Sequence, residues 1–155
     1  VTTRGISSGR HMWEFCIRRC SKAMIAVGIC SHPDAGLAKD QLGLHKNAWA
    51  WRVDGTLWAH GRQCSSSYGV IKAQHLLTDG DVVTVTLDVH AQTLAFAVNG
   101  KDLGLAFGPP GSGAEAEVPV VNGDPFRVFF PAVSLHNYHD KVRIRPAGTM
   151  GTLAL

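Results

Sequence analysis

Thr93-Leu94-Ala95-Phe96-Ala97-Val98-Asn99-Gly100-Lys101-Asp102-Leu103-Gly104-Leu105-Ala106-Phe107 is the stretch that decides the fold class. Apolar residues recur on both sides of Asn99-Gly100, a dipeptide that tolerates the two positive φ values of a tight turn between antiparallel strands. The stretch therefore predicts a β-hairpin. Immediately before it, Val82-Val83-Thr84-Val85-Thr86-Leu87-Asp88-Val89 is dense in β-branched residues and follows the turn signal Asp79-Gly80. Such a run predicts a third strand beside the hairpin.

The same pattern extends outward in both directions. In Met12-Trp13-Glu14-Phe15-Cys16-Ile17, a period of two puts Trp13, Phe15 and Ile17 on one face and Glu14 on the other. The run from Ala23 to Cys30 is continuously apolar, as expected of a strand buried on both faces. Trp49 and Trp51 alternate with Ala50, and Asp54-Gly55 predicts a second hairpin into Thr56-Leu57-Trp58-Ala59, with both turn residues at positive φ. Phe126 to Val133 and Lys141 to Arg145 close the series. Between Ser31 and Ala48 no period persists, and Pro33, Asp34, Gly36, Asp40, Gly43 and Asn47 mark a long loop. Loops of that length inside a domain are usually functional. Gly108 to Asp124, with Pro109, Pro110, Gly111 and Gly113, reads as a surface excursion. Short strands at steady spacing, with no amphipathic helix, predict an all-β sandwich.

Composition agrees with that class. The 155 residues are 45% hydrophobic and 17% charged, with 17 glycines and 7 prolines for tight turns, enough for one domain spanning residues 1–155. A net charge of +3 spread along the chain lacks the dense basic stripe of a nucleic-acid binder. No apolar run is long enough to cross a membrane as a helix. Cys16, Cys20, Cys30 and Cys64 occur without a leader or an Asn-x-Ser/Thr acceptor, so thiols in a reducing, cytoplasmic setting are expected.

In chain order, the motifs resemble those of the SPRY domain family. Gly9-Arg10-His11-Met12-Trp13-Glu14 is similar to the family's opening Gly-x-His-x-Trp-Glu, and Val27-Gly28 to its second strand. Trp49-Ala50-Trp51 stands where Trp-Gly-Trp is frequent, with Ala50 replacing a common glycine. Gly80-Asp81-Val82-Val83-Thr84-Val85 with Asp88, and Phe96-Ala97-Val98-Asn99-Gly100, resemble the central hairpins. Phe130-Pro131-Ala132-Val133-Ser134 and Val142-Arg143-Ile144 resemble the closing strands. The resemblance implies a bent antiparallel β-sandwich of the concanavalin-like jelly-roll kind, with the first family strand absent or upstream of Val1. It also implies a non-catalytic protein-recognition module, often carried within ubiquitin-ligase, channel or scaffold proteins.

In SPRY domains that grip short extended peptides, contacts come from the loop before the Trp-x-Trp strand and the loop before the last strand. Carried over by position, these are Ala38, Gln41 and Leu44, then His136, Asn137 and Tyr138. Some members place Tyr where Ala38 stands and Trp where Asn137 stands, so their Asn-rich peptide preference does not transfer. Lys39, His45 and Lys46 supply positive or titrating groups, while Leu44 and Tyr138 supply apolar contact. The expected partner is a protein or peptide, acidic or polar, with one apolar anchor, bound by a monomeric domain.

Other chemistries find weaker support. Gly5-Ile6-Ser7-Ser8-Gly9 satisfies the Gly-x-Ser-x-Gly pattern of a hydrolase elbow, but a strand rather than a helix follows it. His136 with His139, or Cys16 with Cys20, offers half a zinc site, and neither Cys30 nor Cys64 forms a second pair. Gly108, Gly111 and Gly113 lack the Lys-Ser/Thr of a phosphate-binding loop. No catalysis, metal or cofactor is therefore expected. A glycan-binding sandwich remains an alternative through Trp58, and so does a domain docked permanently within a longer parent chain.

Overall fold

The computed structural model describes residues 5–20, 25–31, 42, 44, 47–69, 77–120, 128–135 and 138–147. Ten strands run through them: β1 Arg10–Arg19, β2 Ala26–Ser31, β3 Ala48–Arg52, β4 Leu57–Ala59, β5 Arg62–Ser65, β6 Val82–Asp88, β7 Thr93–Val98, β8 Lys101–Phe107, β9 Phe129–Ser134 and β10 Lys141–Pro146. There is no helix among the described residues. The strands form two antiparallel sheets of five, ordered β10-β1-β6-β7-β8 and β5-β4-β3-β2-β9.

The period of two decides which side chains meet between the sheets. From the first sheet come Trp13, Phe15 and Ile17, Val83, Val85 and Leu87, and Leu94 and Phe96; from the second come Val27, Ile29, Trp49, Trp51, Leu57 and Phe129. Trp51 lies 5.7 Å from Phe96, ring centre to ring centre, and bridges the layers, while Trp49 packs 5.9 Å from Phe129 within the second sheet. β2 is buried along its whole length, as its unbroken apolar run predicts. Gly28 sits where only glycine fits, because a Cβ there would run into the carbonyl oxygen of Trp49 on the neighbouring strand.

The β7–β8 hairpin turns on Asn99 and Gly100, with φ of 50° and 81°. The second hairpin differs from expectation. Asp54 keeps a negative φ and Gly55 alone is positive, at 92°. Arg52 N–H donates to the Thr56 carbonyl and Gly55 N–H to the Arg52 carbonyl, giving a three-residue loop instead of a two-residue turn. In a loop of that length the glycine alone takes the positive φ, and the Asp54 carboxylate accepts from both the amide and the hydroxyl of Thr56.

The excursion after β8 also differs. Ala116 bridges to Phe107, and Ala116 and Val120 enter the core while Glu115 and Glu117 stay exposed. An alternation short enough to escape notice turns this segment into a cover for the β8 edge. Tyr68 is buried nearby, donating its hydroxyl to the Gly104 carbonyl and accepting the Phe96 amide.

Candidate functional site

The second sheet has two faces of unlike character. Its inner residues join the main core, while Ala26, Cys30, Ala48 and Ala50 point the other way, with Phe130 and Ala132 packed beside them. Such small side chains leave a shallow floor. Leu42, from the long loop between β2 and β3, is buried on that floor. Its amide donates to the hydroxyl of Ser134, the last residue of β9, at 2.8 Å. The first loop is therefore pinned, at Leu42, to the strand end from which the second loop departs.

Two residues along, Leu44 is 43% exposed, with its carbonyl beside Gly61 in the β4–β5 turn. In the second loop Leu135 is 42% exposed and Tyr138 98% exposed, its ring edge-on to His139 at 5.4 Å. Leu44, Leu135 and Tyr138 are the large apolar residues left exposed among the described residues, and all three fall in the two loops singled out from sequence. Ala38, Lys39, Gln41, His45, Lys46, His136 and Asn137 lie outside the described residues.

Trp58 and Arg52 complete the outer face. Trp58 pairs with Ala50 and Arg52 with Ala26, so both share the side of the small-residue floor. The Arg52 guanidinium carbon stands 4.0 Å from the centre of the Trp58 ring. Arg52 is only 7% exposed and its Nε has no hydrogen-bond partner. Burial pushes its pKa down, partly offset by the charge of Asp54. With one ring face covered by the guanidinium, Trp58 offers less stacking surface to a sugar than its sequence position suggests.

The remaining candidates settle into structural places. Trp13, Trp49 and Trp51 are core residues. Ser7 is exposed, and the strand β1 follows its turn at once. The four cysteines are thiols, not disulfides, and burial pushes the Cys64 thiol up, away from a reactive thiolate. Asp81 is engaged by Thr78 and Asn99, Asp88 by the amide of Ala91, and Glu14 by Arg145. The described residues contain no group of three metal-ligating side chains, and no helix among them is long and apolar enough to cross a membrane.

Comparison with known proteins places this geometry. The F-box/SPRY domain-containing protein 1 of Culex quinquefasciatus is 26% identical over 133 residues, covering 84% of this chain and 46% of the relative. Its counterpart in Drosophila willistoni is 29% identical over 107 residues, covering 66% of this chain and 42% of the relative. The chain thus spans less than half the length of these relatives. The crystal structure of the SPRY domain of human HERC1 shares the fold, with a TM-score of 0.64 at 22% identity, over 93% of this chain and 77% of that one. The SPRY domain model matches residues 10–147, from the first residue of β1 to just past the end of β10, and the chain belongs to the SPRY domain family, whose members are non-catalytic protein-interaction modules.

Proposed function

We propose that this domain binds a peptide or protein partner through the loop between β2 and β3 and the loop between β9 and β10. The observation that carries the reading is the exposure of Leu44, Leu135 and Tyr138 in those two loops, while the other large apolar side chains among the described residues are largely withdrawn. Exposed apolar groups held on a rigid frame are what a binding surface needs. Lys39, His45, Lys46 and His136 add positive or titrating groups to the same segments, and Ala38, Gln41 and Asn137 complete them. The favoured partner is an acidic or polar segment with one apolar anchor. The F-box/SPRY relatives support a role as the recognition part of a longer ligase or scaffold protein. The four thiols suit a reducing, cytoplasmic setting.

Peptide display on the folded domain, followed by affinity measurement with the Leu44→Ala/Tyr138→Ala double variant, tests this. Loss of at least about tenfold in affinity, roughly the share of binding energy that one or two anchor residues hold, is the expected result. Unchanged affinity, with circular dichroism showing an intact fold, overturns the assignment of the surface.

A further inference from the structure

We infer that Arg52 and Trp58, on the outer face of the second sheet, form a seat for a carboxylate of the bound partner. The inference rests on reading the domain as a peptide- or protein-binding module, but not on which loop residues do the binding.

The first ground is the unpaired donor. Four buried polar atoms among the described residues lack a hydrogen-bond partner: the Ser31 hydroxyl, the indole nitrogens of Trp49 and Trp51, and Arg52 Nε. Three of these belong to neutral groups. Arg52 is a cation removed from water, and a buried charge is ordinarily paired. The face of its guanidinium is taken by Trp58 at 4.0 Å. What that stacking leaves unsatisfied is Nε, on the edge of the plane with which a planar carboxylate pairs.

The second ground is that the ring beneath is fixed in place. Trp58 Nε1–H donates to Thr56 Oγ1 at 2.9 Å, and the Thr56 hydroxyl donates to Asp54 Oδ1 at 2.6 Å. Asp54 Oδ1 also accepts the Thr56 amide at 2.9 Å. The turn between β3 and β4 thus orients the indole, and Asp54, the acid whose charge acts on Arg52, is already engaged by Thr56. The third ground is the surroundings. Ala26 and Ala50 flank the pair across the neighbouring strands, and Gln63 lies opposite Trp58 on β5. These neighbours bring no second cation, so the seat matches one singly charged carboxylate better than a doubly charged phosphate. Both lysine and an uncharged residue at position 52 would lose the planar edge.

The test is a titration of the isotope-labelled domain in low salt, read at the Arg52 Nε–H and Trp58 indole N–H resonances after direct assignment. The probes are N-acetylglutamate amide, which presents a side-chain carboxylate, N-acetylleucine, which presents a terminal one, and N-acetylglutamine amide as the uncharged match. Saturable shifts of both resonances with at least one acid, none with the glutamine probe, and at least tenfold weaker binding to Arg52→Lys are the expected results; the acid that binds more tightly identifies the source. Silence of both resonances with both acids, equal shifts with the glutamine probe, or undiminished binding by a folded Arg52→Lys variant overturns the inference. Failure of the module reading looks different: the carboxylate shifts persist while display yields no peptide that binds the domain.

Discussion

The amide of Leu42 donates to Ser134 Oγ across 92 positions of sequence, and this bond ties the long loop after β2 to the end of β9. Leu42 itself is spent in packing on Ala26, Cys30, Ala48 and Ala50. The loop is therefore anchored at Leu42 while Leu44, two positions on, stays exposed. A loop held this way loses less freedom when a partner binds than an unanchored one.

Replacing Ser134 by alanine removes the acceptor and leaves a partly buried amide without its partner. The expected loss is about 1 kcal/mol of stability, the usual cost of one such bond. Equilibrium urea unfolding of Ser134→Ala against the parent measures it, and partner affinity is expected to fall in the same variant.

Gly28→Ala places a methyl group against the Trp49 carbonyl, which is backbone and cannot rotate away. The β2–β3 pairing must open to admit it, at a cost of about 3 kcal/mol, the upper end for overpacking a core. Loss of a cooperative thermal transition, or a fall in its midpoint well beyond that of Ser134→Ala, is the expected result.

Most of the strand framework was readable because it is local. Asn99-Gly100 announces its own turn, and alternation in Trp13-Phe15-Ile17 assigns a buried face without knowledge of the partner strand. What escaped depends on register or on segments with no period. Arg62-Gln63-Cys64-Ser65 carries no apolar alternation, so β5 is recognisable only as the edge strand that β4 recruits. The Asp54-Gly55 turn differs because the same dipeptide also fits a three-residue loop with glycine alone at positive φ, and residue type does not separate the two. The burial of Leu42 follows from the small residues of β2, β3 and β9 lying side by side, which no single stretch reveals. Likewise the Arg52–Trp58 contact joins residues on neighbouring strands and emerges only with the pairing of Trp51 to Leu57. Of the two candidate loops, the first stood out by its lack of period and the second by resemblance to the SPRY family; Leu44 and Tyr138 were legible there as apolar contacts, whereas the exposure of Leu135 emerges only in the structure.

Tyr68 offers a pH-dependent check on the core. Burial holds its phenol pKa well above the ordinary value, and its hydroxyl serves both the Gly104 carbonyl and the Phe96 amide. A pKa raised in the folded state means that its stabilising contribution is complete below the unfolded value, about 10, and is lost as pH rises beyond it. Tyr68→Phe is expected to cost about 1–3 kcal/mol at neutral pH, the range for leaving buried partners unsatisfied. The difference between parent and variant should narrow above that pH, as paired unfolding titrations will show.

Leu44→Ala and Tyr138→Ala, by contrast, should leave stability within about 0.5 kcal/mol of the parent, as for surface positions without structural duties. A larger loss in chemical unfolding means that these side chains support the fold instead of awaiting a partner.

Chemical-shift mapping of the labelled domain with a display-selected peptide bears most directly on where the partner sits. Perturbations concentrated at Leu44, Leu135 and Tyr138, with Thr84, Thr86, Ala95 and Ala97 on the first sheet undisturbed, are the predicted result. Perturbations gathered on that first sheet, with the two loops unmoved, contradict the account.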